Sequence, residues 1–123
     1  MPNLIAPEYV LAVHSCAEIS DYFQKKLGFT ENFALGDDWR FLSRGACKLR
    51  LGQCVDAIHP QDLGDHSYFA YVIVDDVRDL HAEFKQKGAI LIHDDPIDQP
   101  WGHREFGVRT PEGHRMMFAQ ILN

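Results

Sequence analysis

Hydrophobic and polar positions fall into two successive blocks of one design. Tyr9–His14 is an apolar run and predicts a strand. Ser15, followed three residues later by Glu18, is the capping-box start of a helix. Ile19, Tyr22, Phe23 and Leu27 then recur at helical spacing, and Gly28 stops the helix. Phe29–Leu35, Trp39–Arg44 and Ala46–Gly52 predict three short strands, parted by Gly36-Asp37-Asp38 and by Gly45. The polar stretch Cys54–Asp65 reads as a connection. The design then restarts. Tyr68–Val74 is an apolar, β-branched and aromatic run. Asp76 caps a helix whose apolar side is Val77, Leu80 and Phe84 and whose stop is Gly88. Ala89–His93, Arg104–Arg109 and His114–Ile121 predict strands, the last two joined by the turn Thr110-Pro111-Glu112-Gly113.

Each half is therefore strand–helix–strand–strand–strand. Phe23-Gln-Lys-Lys-Leu-Gly28 is echoed by Phe84-Lys-Gln-Lys-Gly88, and Phe41-Leu-Ser-Arg44 by Phe106-Gly-Val-Arg109, 65 residues on. Neither half can bury its own sheet, so the two are expected to pair. The expected fold is α+β: one domain over residues 1–123, with βαβββ modules at about 4–53 and 67–122 forming a curved mixed sheet around a groove.

Composition narrows the function. The 123 residues carry 12 Lys+Arg against 18 Asp+Glu, a net charge of −6. An acidic chain without basic clusters is not built for phosphate backbones, so no nucleic acid is expected as partner. A cationic or neutral small molecule fits the charge. No apolar run reaches the roughly 18 residues of a membrane span, and no membrane partner is expected. Cys16, Cys47 and Cys54 are odd in number and lack CxxC spacing, which suits free thiols in a cytoplasmic protein. Phosphate-binding glycine loops and nucleophile elbows are both absent. The seven histidines, His14, His59, His66, His81, His93, His103 and His114, present no HxH or HxxxH pair.

The pattern Leu27-Gly28-Phe29, Val74-Asp75-Asp76-Val77, Pro100-Trp101-Gly102-His103-Arg104-Glu105-Phe106 and Arg109-Thr110-Pro111-Glu112-Gly113-His114 resembles the vicinal oxygen chelate superfamily. That group holds glyoxalases, bleomycin-resistance proteins, fosfomycin-resistance enzymes and extradiol dioxygenases, and the likeness is strongest to the bleomycin-resistance branch. The resemblance implies the paired-module fold and a homodimer, side by side or module-swapped, in which a second chain completes the groove. It also implies where metallo-members hold a divalent cation: Glu8, a position near Arg50, Phe69 and Met117. Of these only Glu8 suits a hard or borderline cation, so no metal and no other cofactor is expected.

Aromatic residues then carry the expectation of binding. Trp39, Phe41, Phe69, Tyr71 and Trp101, with His103 and Met117, are the candidate ligand contacts. Flat rings stack on such side chains, and cations sit over their faces. Phe41, Phe69 and Phe106 fit ordinary core better than ligand contact, while Trp39 and Trp101, each following turn residues, fit either. Acidic loops, Asp37-Asp38, Asp62, Asp65, Asp94-Asp95 and Asp98, are candidates for attracting a basic ligand. The expected function is metal-free sequestration of an aromatic, cationic molecule, with no catalytic residue. The alternative is a metal-dependent glyoxalase-like lyase, isomerase or dioxygenase using Glu8 with His66 or His103.

Overall fold

The computed structural model describes residues 1–123 and contains nine strands and two helices. Strand β1 (Tyr9–Val13) leads into α1 (Cys16–Leu27), then β2 (Thr30–Leu35), β3 (Trp39–Arg44) and β4 (Cys47–Gln53). After a connection holding one 3-10 turn (Pro60–Asp62) come β5 (Tyr68–Ile73), α2 (Val77–Lys87), β6 (Ile90–Leu91), β7 (Ile97–Asp98), β8 (His103–Arg109) and β9 (Arg115–Ile121).

Local chemistry sets both helices. The Ser15 hydroxyl accepts the Glu18 amide at 3.2 Å, and the Asp76 carboxylate accepts the Asp79 amide at 3.0 Å. Each helix ends on a glycine in the left-handed region, Gly28 at φ +74° and Gly88 at φ +81°, a conformation without steric cost only for glycine. The first sheet has order β1-β4-β3-β2 and the second β5-β9-β8-β6, with β7 also on β8. In each, the first strand runs parallel to the last and the rest is antiparallel. Helix α1 covers one face of the first sheet and α2 the same face of the second. A single cluster of 18 buried residues runs through both halves, from Leu11, Val13, Phe23 and Leu42 to Phe84, Phe106 and Phe118. No helix is long and apolar enough to cross a membrane.

Two details differ from the expectation. The strand expected over Ala89–His93 pairs only at Ile90–Leu91, because Asp94-Asp95-Pro96 interrupts it and Pro96 has no N–H for the ladder; pairing resumes at Ile97–Asp98. The echo of Phe41 by Phe106 slips by one residue. Phe106 is buried against Phe84 and Phe118, the role Leu42 plays in the first half, whereas Phe41 lies on the opposite face of its sheet. A slip of one position reverses the face.

Polar groups join the two halves. Arg44 of β3 donates to both carboxylate oxygens of Glu83 on α2, at 2.7 and 2.9 Å, and to the Leu27 carbonyl at 2.9 Å. The Glu112 carboxylate accepts the amides of His14 at 2.7 Å and Ser15 at 3.0 Å. His114 Nε2 donates to the Ala12 carbonyl at 2.9 Å, and its Nδ1 accepts from the Thr110 hydroxyl. Burial holds the His114 pKa below the ordinary histidine value, which suits that neutral tautomer.

The Arg44 guanidinium, helped by Lys87, lowers the Glu83 carboxyl from 4.5 to about 2. A carboxyl depressed on folding stabilises the fold above its unfolded pKa, and that stabilisation fades as pH falls through the folded value. The window is therefore pH 4.5 down to about 2. About a third of each side chain stays in water (37% and 32%), and screening reduces the effect to about 1–2 kcal/mol. Glu83→Gln is expected to lose this amount at pH 7 and little at pH 2. Urea denaturation at the two pH values checks it; equal losses at both would contradict the assignment.

Candidate functional site

The face of the first sheet away from α1 is exposed at Val10, Phe33 and Trp39, whereas the corresponding face of the second sheet is mostly covered, Met117 being 7% and Ala119 0% exposed. On β8, alternation sends Phe106 and Val108 into the core, so His103, Glu105 and Gly107 share the opposite face. There Tyr71 of β5 donates its hydroxyl proton to Glu105 Oε1 at 2.8 Å, and His103 Nδ1 lies 2.9 Å from the same hydroxyl oxygen. A phenol has one proton. With that proton on the Glu105 bond, His103 carries its own on Nδ1 and donates it to Tyr71. Burial pushes the Tyr71 phenol up from its ordinary value of 10.0; the nearby Trp101 indole pulls down and the Glu105 carboxylate pushes up, so the hydroxyl stays a donor at neutral pH. Trp101, just before β8, is 61% exposed. Met117 of β9 lies across Gly107, where a Cβ would come within 2.6 Å of its sulfur.

On the first sheet, Trp39 lies flat over Gly52 of β4, where a Cβ would meet the indole at 2.9 Å. Its outer face is open, the residue being 38% exposed. The Arg50 guanidinium covers one face of the Phe41 ring at 4.7 Å, and Phe33 flanks Phe41 at 5.5 Å. Arg50 Nε in turn donates to Glu8 Oε1 at 2.9 Å, and this hydrogen bond lowers the Glu8 pKa.

The expected ligand contacts therefore fall into three places. Tyr71, His103 and Trp101, with Met117, share the second sheet. Trp39 and Phe41 share the first. Phe69 sits apart, at the irregularity where β5 meets β9, edge-on to Tyr9 and His114. It lines a 340 Å³ pocket with Val10, Ala12, Ile58 and Leu63. β3 and β8 lie in different sheets, β1-β4-β3-β2 and β5-β9-β8-β6, so Trp39 and Trp101 fall on separate halves of the chain. Among the acidic residues, Asp37 lies on an exposed turn 3.9 Å from Arg40, and Asp98 is held by Arg104 at 2.6 and 3.1 Å. Glu105 is the residue the loop-charge reading missed. Its signal was period-two alternation with His103, which places both on one face.

The metal positions of the superfamily do not suit a cation here. The Glu8 carboxylate is engaged by Arg50, Phe69 has no donor, and Met117 offers a thioether. No cluster of three or more His, Cys, Asp or Glu side chains has the geometry of a metal centre.

The paired modules agree with the family comparison. The chain belongs to the Glyoxalase/Bleomycin resistance protein/Dioxygenase superfamily, whose model matches residues 5–118. Its fold is similar to that of the bleomycin-binding protein from bleomycin-producing Streptomyces verticillus, complexed with copper(II)-bleomycin. The TM-score is 0.77 and the identity 22%, over 100% of this chain and 99% of that one. A glyoxalase/bleomycin resistance protein/dioxygenase from Alicyclobacillus acidocaldarius gives a TM-score of 0.81 at 17% identity, over 100% and 96%. Lactoylglutathione lyase from Agrobacterium tumefaciens gives 0.72 at 19%, over 97% and 94%. At such identities the likeness is one of fold. No curated protein matches the chain.

Proposed function

We propose that this protein binds and sequesters an aromatic, cationic small molecule of the bleomycin type, without transforming it, in a groove completed by a second copy of the chain. The observation that carries the reading is a contrast between two sets of positions. The superfamily's metal positions hold an ion pair, a phenylalanine and a methionine, while Trp39 and Trp101 present bare indole faces. An indole face attracts flat rings and cations. The second copy is supported by exposed apolar side chains on the first sheet beside Trp39, Val10, Phe33 and Leu35 among them. The bleomycin-binding structural relative supports the ligand class.

Metal analysis of untagged protein purified without chelator separates this reading from a metal-dependent lyase, isomerase or dioxygenase. Less than about 0.1 equivalent of zinc, nickel, manganese or iron per chain is expected, since no donor set holds such an ion tightly. One ion per chain that is lost in Glu8→Ala would overturn the reading.

A further inference from the structure

We propose that Glu105 is the counter-charge for the ligand's cationic group, in a subsite built with Tyr71, His103 and Trp101. The proposal rests on the binding function above and adds the atom that recognises the charge.

Glu105 is 6% exposed, and no Lys, Arg or His of the chain forms an ion pair with it. Its neighbour Arg104 projects to the other face of β8 and is bound to Asp98. A carboxylate so far out of water needs compensation. Oε1 obtains it from the Tyr71 hydroxyl. Oε2 accepts no hydrogen bond within the chain, yet it is not among the buried orphaned atoms, so it keeps some contact with solvent. Donation from His103 to Tyr71 and from Tyr71 to Glu105 orients the whole chain of hydrogen bonds toward this carboxylate.

Beside it stands the exposed Trp101 indole, close enough to influence the Tyr71 hydroxyl. A cation drawn to that indole finds its counter-charge in the free carboxylate oxygen of the same hydrogen-bonded group. The loop acids do not offer this. The Asp37 side chain is 84% exposed, where salt screens it, and Asp98 already holds Arg104. Loop acids steer a cation toward the protein, and Glu105 selects it. The ligand class is an aromatic or heteroaromatic molecule bearing an ammonium, amidinium or guanidinium group. A neutral molecule with the same rings binds less well, because it leaves the buried carboxylate without a partner.

The test compares N-methylacridinium with acridine, which is uncharged at about pH 8, by tryptophan quenching and calorimetry. The proteins are the full-length chain, Glu105→Gln, Glu105→Asp, Tyr71→Phe and Trp101→Ala, with melting curves to confirm folding. The unmodified protein is expected to prefer the cation by about tenfold or more. Glu105→Gln should abolish that preference and leave acridine affinity within about twofold, whereas Glu105→Asp, which keeps the charge, should retain part of it. Tyr71→Phe should weaken the preference less than Glu105→Gln does. Trp101→Ala should weaken both probes. An undiminished preference in Glu105→Gln overturns the subsite while leaving the binding function intact. If Glu105→Gln does not fold, an undiminished preference in Tyr71→Phe overturns it instead. Failure of both probes to bind the unmodified protein overturns the subsite and its parent function together.

Discussion

Metal-free bleomycin, at a hundredfold excess over its Kd, is expected to stabilise the protein by about 2.7 kcal/mol through mass action, a rise on the order of 10 °C in Tm. Tryptophan fluorescence should be quenched as the ligand's aromatic rings stack on the indoles. Trp101→Ala should remove most of the shift, since a stacking ring is worth about 0.5–2 kcal/mol and also shapes the site. Trp39 adds a sharper variant. Its inner face rests on Gly52, and a Cβ there would sit 2.9 Å from the ring. Gly52→Ala must therefore lift the indole, and it should weaken binding without deleting any contacting side chain. Higher salt should weaken binding too, because part of the attraction is to a cation. A ligand shift that survives both Trp101→Ala and Gly52→Ala would mean that the molecule binds elsewhere.

Removing Glu112 is expected to cost about 2–3 kcal/mol, or roughly 10 °C in Tm. This residue belongs to the turn between β8 and β9, yet it serves the other half of the molecule. Its two oxygens accept the amides of His14 and Ser15, at the start of α1. Ser15 is the helix N-cap and His14 stands just before it, at the end where the helix dipole favours a negative charge. Glu112 is 8% exposed, so Glu112→Ala leaves both amides with poor access to water. Glu112→Gln keeps one acceptor and should lose about half as much. Chemical denaturation of the three proteins at pH 7 checks the order. A cost below about 0.5 kcal/mol for Glu112→Ala would show that the two halves hold together without it.

Most of the architecture was legible because its punctuation is local. Ser15, Gly28, Asp76 and Gly88 bound the helices through hydrogen bonds and φ values within a few residues of each position. The break in the second module was harder to read. Ile90–Leu91 and Ile97–Asp98 are two residues each, and both exist only because β8 lies beside them. The false echo of Phe41 by Phe106 has a related cause, since a one-residue slip leaves composition intact and reverses the face.

At the site, sequence identified most of the aromatic surface but not its partners. That Arg50 would cap the Phe41 ring and pair with Glu8 required knowing that β1 lies parallel to β4. Phe69 was expected among the ligand contacts, and beside the irregular pairing between Tyr68 and Ala70 it packs edge-on against Tyr9 and His114. The loop aspartates stand out in the sequence, whereas the hydrogen bond that ties the buried Glu105 to Tyr71 crosses from β8 to β5 and cannot be read there.

Native mass spectrometry of the untagged protein titrated with metal-free bleomycin tests the central claim most directly, because it weighs chain number, metal and ligand together. The account predicts two chains, no tightly held metal, and bound ligand that is released with its mass unchanged. A single chain with one metal ion, or a ligand whose mass has altered on the protein, would contradict it.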